Sequence, residues 1–337
     1  MLVPFAIDAG SLAPDPAWSP AQQKAYHQSM LKVWQQIGVL VHEGQTFSAS
    51  QTKVAIDALP AKLLPLWQEL IERLPLLPGP AGWGGVVENT GGCLDCLCGT
   101  VRTALVDDAT AEAVFSIDEG DLYACPPTHP DLEICRFIAA GSSRAFGAAL
   151  ALSGAHIEAG QDYRQLWAER FSVLAKAQIK TVQVVDRYAV SQHYEAPQGR
   201  LSGLERFLRL LDADASGNRH VALYSAWTPE LNARQAGIGD VQGELKILLT
   251  RLPNHRIKRI KIYMLPNGAF GDVNHDRFIR FGEYVWDIGV GVKVFEGAFV
   301  PQRSAAGFKA GLQAVTYKNV EVELGQHQNA TFAEVTN

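Results

Sequence analysis

Short apolar runs alternate with stripes of helical period in the second half of the chain, and this alternation constrains the fold most. The predicted elements are strands at residues 179–185, 220–227 and 256–265, helices at 201–211 and 241–252, and three short strands between 278 and 295. A strand–helix–strand–helix–strand order followed by a meander predicts an α/β sandwich with a mixed sheet.

The first half predicts a separate α/β domain. An apolar strand at Val3–Ile7 is followed by a helix with Ser19 as N-cap, Pro20 in its first turn and Gly38 as its stop. Further helices are expected at 48–59, 61–74, 143–152 and 163–177, and strands at 39–41, 101–106 and 133–138. A length of 337 residues suits two domains. We therefore predict domains at 1–177 and 178–337, with the boundary uncertain by about three residues.

Composition limits the classes of function. The chain is 47% hydrophobic, which excludes disorder as its dominant state, and its formal net charge of -5 argues against a general polyanion binder. No apolar run is long enough to predict a membrane span. Five cysteines without a secretory signal indicate a reduced, cytoplasmic setting.

A segment rich in cysteine, residues 91–135, raises the question of zinc. Cys93 and Cys96 lie in a Gly-rich loop, and Cys125 and His129 offer a second pair. Thiolates and imidazole at such spacings can hold structural zinc. The alternative is that these cysteines are small buried apolar residues.

Asp8, at the end of the first strand, offers a different metal site. Together with Asp107, Asp108, Asp118 or Asp121 it could form a magnesium cluster of the nuclease kind. In this one strand the chain resembles PIN-like nucleases. The alternative reading is that Asp8 is an ordinary turn or N-cap residue.

Basic residues interleave with isoleucines in the strand at 256–265. Arg259 and Lys261 share a face with Tyr263, opposite Ile260 and Ile262. Two interpretations stay open, a stripe that contacts phosphates or a solvated edge strand protected from aggregation by its charges.

The most specific pattern begins with Asn274-His275-Asp276-Arg277 and continues through Trp286, a Gly-Val-Gly turn and Phe295. In this order of motifs the chain resembles a divergent branch of phospholipase D-like domains. The segment Val185-Asp186-Arg187-Tyr188 matches the Asp-x-Tyr ending of their first strand. The resemblance covers residues 178–300.

The resemblance implies phosphodiester chemistry. In active members one imidazole attacks phosphorus, a second protonates the leaving oxygen, and lysines hold the phosphoryl oxygens. His275 matches the histidine and Arg277 replaces the lysine. The expected acid falls on Gly282, and the nearest candidates for it are Glu283 and Asp287. We therefore expect His275, Arg277, Glu283 and Asp186 in a catalytic pocket, and Arg259, Lys261 and Lys293 as phosphate-binding residues.

Two functions follow as expectations. The first is a nuclease or nucleic-acid phosphodiesterase of a bacterial defence or nucleic-acid processing system, which needs no metal for its histidine chemistry. Because only one His-Asp-Arg motif is present, the shared pocket would require a homodimer. The second is a non-catalytic module that recognises phosphates or a partner protein. The sequence thus predicts structural zinc as the one cofactor. As partners it predicts a second copy of the chain, nucleic acid and a partner protein.

Overall fold

The computed structural model describes residues 2–271, 273 and 277–337. The chain divides into two compact units, one ending at Leu152 and the other beginning at Ser153. Both units are α/β, and each is built around a mixed sheet, as the sequence predicts. No helix in the described part of the chain is long and apolar enough to cross a membrane.

Six strands form the sheet of the first unit in the order β3-β2-β1-β4-β6-β5. They are β1 (Val3–Ile7), β2 (Gly38–His42), β3 (Leu76–Pro78), β4 (Thr103–Val106), β5 (Tyr123–Ala124) and β6 (Glu133–Arg136). All neighbours are parallel except β5, which runs antiparallel to β6. Buried residues on both faces explain why β1, β2 and β4 appear as continuous apolar or uncharged runs.

The first unit also contains α1 (Pro20–Ile37), α2 (Gln51–Asp57), α3 (Leu64–Arg73), α4 (Gly91–Cys98), α5 (Asp108–Ala113) and α6 (Arg144–Ser153). The predicted start and stop of α1 are confirmed, because Ser19 and Gln22 form a capping box and Gly38 ends the helix. The prediction that Cys93 and Cys96 lie in a loop is wrong, because both lie on α4. Thr90 starts this helix by accepting a hydrogen bond from the backbone N–H of Cys93.

Seven strands form the sheet of the second unit in the order β12-β11-β10-β7-β8-β9-β13. They are β7 (Thr181–Asp186), β8 (Arg219–Trp227), β9 (Ile257–Pro266), β10 (Arg277–Phe281), β11 (Tyr284–Ile288), β12 (Ala306–Ala310) and β13 (Thr331–Thr336). Strands β7, β8 and β9 are parallel, and all other pairs are antiparallel.

The helices of the second unit are α7 (Tyr163–Arg170), α8 (Ser172–Lys176), α9 (Ala189–Glu195), α10 (Gly203–Asp214), α11 (Pro229–Ala233), α12 (Ile238–Thr250) and α13 (Val315–Gly325). Helix α13 covers one face of the sheet, where the ring of Tyr317 meets that of Phe278 at 5.0 Å. The predicted strand at 292–295 is wrong, because Gly291–Phe295 forms a 3₁₀ helix.

The division between the units lies upstream of the predicted boundary near residue 178. Helices α7 and α8 belong to the second unit because Trp167 of α7 and Phe171, between the two helices, pack in its core. The ring of Phe171 lies 5.8 Å from that of Trp286 and 5.5 Å from that of Phe295, and Trp286 donates a hydrogen bond to the Arg170 carbonyl. A boundary at 178 would therefore cut through one hydrophobic core.

Candidate functional site

The carboxyl edge of β7, β8 and β9 is where this topology favours a ligand site. From β7 the chain proceeds to β8 and β9 on one side, and it then returns to β10 on the other side of β7. Ligands of open α/β sheets bind outside the carboxyl ends of the strands, at such a change of direction. Because β10 is antiparallel to β7, its first residue, Arg277, lies opposite Asp186, the last residue of β7.

Asp186 fixes the backbone at this edge. Its carboxylate is only 1% exposed, and it accepts hydrogen bonds from the backbone N–H groups of Tyr188 (3.0 Å) and Val292 (2.8 Å). The second bond ties the turn after β11 to the end of β7. Gly291 permits this close approach, since its φ is +61° and an added Cβ would lie 2.5 Å from the Asp186 carboxyl carbon.

Two guanidinium groups meet the ring of Tyr188 beside Asp186. The Cζ atom of Arg277 lies 4.9 Å from the ring centroid, and its Nη1 donates to the carbonyl of Gly289. The Cζ atom of Arg187 lies 5.5 Å from the same centroid, and its Nε donates to Oδ1 of Asn267 at 2.7 Å. The edge therefore presents two positive charges held by an aromatic ring and by neighbouring loops.

Lys293 is the predicted phosphate-binding residue that the backbone places next to this edge. It follows Val292, whose N–H binds Asp186, and it lies half-buried in the 3₁₀ helix Gly291–Phe295. The predicted His275 lies outside the described residues, as do Asn274 and Asp276.

Glu283 does not join Arg277. It lies in the turn between β10 and β11, whereas Arg277 begins β10, and five extended residues span roughly 13 Å. Its carboxylate is paired with Nζ of Lys318 on α13 at 2.5 Å. The expected acid of the pocket is therefore engaged elsewhere.

Arg259 and Lys261 also lie away from Arg277. They occupy the first half of β9, and both pair with Glu334 of β13, at 3.3 Å and 3.9 Å. The predicted alternation is confirmed, because Ile260 and Ile262 are buried on the other face. The edge-strand interpretation is wrong, since β9 pairs with β8 on one side and β13 on the other.

The four predicted zinc ligands are not brought together. Cys93 and Cys96 lie on α4, Cys125 accepts a hydrogen bond from Arg144, and Nε2 of His129 lies 2.7 Å from Oδ1 of Asp95. All five cysteines are free thiols, and burial raises the pKa of Cys93 and of Cys125. Among the described residues no three His, Cys, Asp or Glu side chains are placed to hold a metal ion.

Three acids of the predicted magnesium cluster, Asp8, Asp107 and Asp108, have structural partners for their carboxylates. Asp8 accepts hydrogen bonds from Ser11 and from the backbone of Val87, and Asp107 caps α5. Asp108 pairs with Arg136, whose guanidinium also bonds the carbonyls of Asp118 and Asp121. The turn and N-cap reading of Asp8 therefore accounts for its position, and the PIN-like expectation gains no support from this cluster.

Sequence reasoning missed the roles of Arg187, Tyr188 and Asn267. Arg187 and Tyr188 belong to the Asp-Arg-Tyr triplet at the end of β7, but the Asp-x-Tyr motif of the resemblance includes only the aspartate and the tyrosine. Asn267 had no sequence signal, because its position depends on where β9 ends.

The sequence has no match among protein-family models, and no curated protein matches it significantly.

Proposed function

We propose that the second unit binds phosphodiesters at the carboxyl edge of its sheet, with Arg277 and Arg187 holding the phosphoryl oxygens. The observation that carries this proposal is the placement of both guanidinium groups around Tyr188 at the point where the strand order turns. Guanidinium groups match phosphate geometry with paired N–H donors, and such bonds are stronger than those between neutral groups.

The surroundings hold these groups in place before a ligand arrives. The hydrogen bonds to Gly289 and Asn267 and the ring of Tyr188 restrict the rotation of both arginines. Restricted donors lose less conformational entropy on binding, so each contact contributes more to affinity. Asp186 supports the same edge through its two backbone hydrogen bonds, which assigns it a positioning role.

Cleavage is the second part of the proposal. His275 precedes Arg277 by two residues, and it would attack phosphorus to form a phosphohistidine while the leaving oxygen takes a proton from a second imidazole. Water would then attack the phosphohistidine, give its proton to the second imidazole and release the product as a phosphomonoester, which restores both histidines. A homodimer would supply the second imidazole, since the sequence contains one such motif. Nucleic acid is the substrate class we propose, in a cytoplasmic defence or processing system with a protein partner.

A non-catalytic phosphate-recognition module is the second candidate. The pairing of Glu283 with Lys318 favours it, because that pairing removes the acid expected near the histidine from the pocket. Binding by Arg277 and Arg187 would then occur without turnover.

The two candidates are separated by one set of assays. Purified protein and the His275→Ala variant are incubated with labelled DNA, RNA and phospholipid, with EDTA or with Mg²⁺. EDTA-resistant cleavage that the variant loses supports histidine chemistry. Binding without cleavage supports the recognition module. Cleavage that needs Mg²⁺ and survives the substitution contradicts the proposed catalytic role of His275.

A further inference from the structure

A second arginine-lined cleft lies in the same unit, and it shares no side chain with the proposed phosphodiester site. Its volume is about 430 Å³, and it is lined by Arg200, Arg206 and Glu296, with Pro197, Gly199 and Gly297. This volume falls within the roughly 300–1,000 Å³ that is typical of small-molecule sites. The cleft lies between the loop before α10 and the segment after the 3₁₀ helix Gly291–Phe295.

Three arginines of this region have no acidic partner among the residues that the structure describes. Neither Arg200 nor Arg206 has an ion pair or a side-chain hydrogen bond among the described residues, and Nε of Arg206 is buried without an acceptor. Arg164 is likewise outside the ion pairs of the described chain. Arg164 and Arg200 are exposed to solvent, whereas Arg206 is half-buried with one N–H unsatisfied, so the guanidinium of Arg206 is available to an anionic ligand.

Tyr163 lies behind the cleft and contacts Arg206, one of its lining residues. The Cζ atom of Arg206 lies 4.3 Å from the ring centroid of Tyr163, and that of Arg164 lies 5.1 Å from it. The backbone N–H of Tyr163 donates to the carbonyl of Ala298, a lining residue, at 3.3 Å. The ring therefore restricts the Arg206 guanidinium, and the backbone of the same residue holds the lining segment that contains Ala298.

The lining also contains a carboxylate. Glu296 is half-buried and has no ion pair in the described part of the chain. A carboxylate accepts hydrogen bonds from hydroxyl or amino groups and repels a bare dianion. The combination favours a ligand with a phosphate at one end and hydroxyl groups at the other.

We propose that this cleft binds a phosphorylated small molecule rich in hydroxyl groups, with Arg200 and Arg206 on the phosphate and Glu296 on the hydroxyls. Nucleoside monophosphates and sugar phosphates share this chemistry. Arg206 lies in the first turn of α10, whose positive end adds to the attraction for the phosphate.

Isothermal titration of the full chain tests the proposal with a nucleoside 5′-monophosphate, a hexose phosphate and inorganic phosphate as probes. We expect at least one ester to bind more tightly than inorganic phosphate. Arg206→Gln and Arg200→Gln should each weaken that binding about tenfold or more, because each removes a charge-assisted contact. Arg209→Gln is the matched control, since Arg209 lies on the same helix but pairs with Glu205.

Further measurements distinguish a bound phosphate ester from a nonspecific anion and from an unfolded variant. Exposed Arg200 can be replaced without loss of packing, so its variant keeps the test valid if Arg206→Gln unfolds. Amide exchange should show protection of residues 197–201 and 296–298 by the ester. Binding of inorganic phosphate alone, or equal affinities in the wild type and Arg200→Gln, would overturn the proposal. Arg277→Gln should leave this binding unchanged, which separates it from the phosphodiester site.

Discussion

Replacement of Gly291 by alanine should destabilise the second unit strongly. Its φ of +61° is left-handed, and a non-glycine residue held there costs about 1–2 kcal/mol. The added Cβ would also overlap the carboxylate of Asp186, 2.5 Å from its carboxyl carbon. Displacing this carboxylate endangers its hydrogen bonds to Tyr188 and Val292, each of which contributes about 1.5–3 kcal/mol. With the backbone cost and the loss of one of these two hydrogen bonds, we expect a total loss of about 4 kcal/mol.

Gly282→Ala is the matched control. Gly282 has a φ of +59°, but the nearest atom to its added Cβ is Cγ2 of Ile179 at 3.9 Å, an ordinary contact. This variant should lose only the backbone contribution, about 1–2 kcal/mol.

Urea unfolding followed by amide exchange in peptides from β7 and β11 measures both variants in the second unit alone. The free energies of unfolding should differ by about 2–3 kcal/mol, with Gly291→Ala the less stable. Equal destabilisation would show that Asp186 does not clamp the turn at Val292, and the positioning role assigned to this carboxylate would be wrong.

Three further predictions concern the core and the domain boundary. Buried His27 has no partner for either ring nitrogen among the described residues, and burial lowers its pKa to about 4. In the unfolded chain the same imidazole takes up a proton near pH 6.5, so the first unit should lose about 3 kcal/mol of stability as the pH falls from 6.5 to 4. His27→Phe should flatten this slope in urea titrations, and an unchanged slope would contradict the assignment. Fragment 153–337 should show a cooperative melting transition and fragment 178–337 none, whereas equal melting of both would refute the observed division. Arg280→Met should lower the free energy of unfolding by about 3–5 kcal/mol because it leaves the buried carboxylate of Glu321 without its partner. The double variant with Glu321→Met should recover most of this loss. No recovery would contradict the pairing.

The sequence predicted elements whose signals are local. Helix α1 carries its own cap at Ser19 and its stop at Gly38, and β9 alternates buried isoleucines with charged residues, so both were found. The 3₁₀ helix Gly291–Phe295 was predicted as a strand because its apolar residues alternate. Its conformation depends on the bond from Val292 to Asp186, which lies far away in sequence.

The remaining errors arose from tertiary contacts that no local pattern reveals. Strand β13, which is distant from β9 in sequence, pairs with the side of β9 that was expected to be open. The charges of Arg259 and Lys261 therefore suggested an edge strand, although β9 lies inside the sheet. Glu283 was chosen by its spacing from Arg277, but a hairpin turn separates the two and Lys318 on α13 takes the carboxylate. Of the residues predicted for the pocket, the structure places Arg277 and Asp186 opposite each other and Glu283 apart from them.

The affinity of Arg277 variants for a short single-stranded oligonucleotide tests the central claim most directly. Titration at fixed, moderate salt compares the wild type with Arg277→Gln and with Arg209→Gln, a control arginine on α10. The phosphodiester site at the carboxyl edge predicts binding weakened about tenfold or more in Arg277→Gln and nearly unchanged in Arg209→Gln. Equal affinities for the two variants would contradict the account and remove Arg277 from the site.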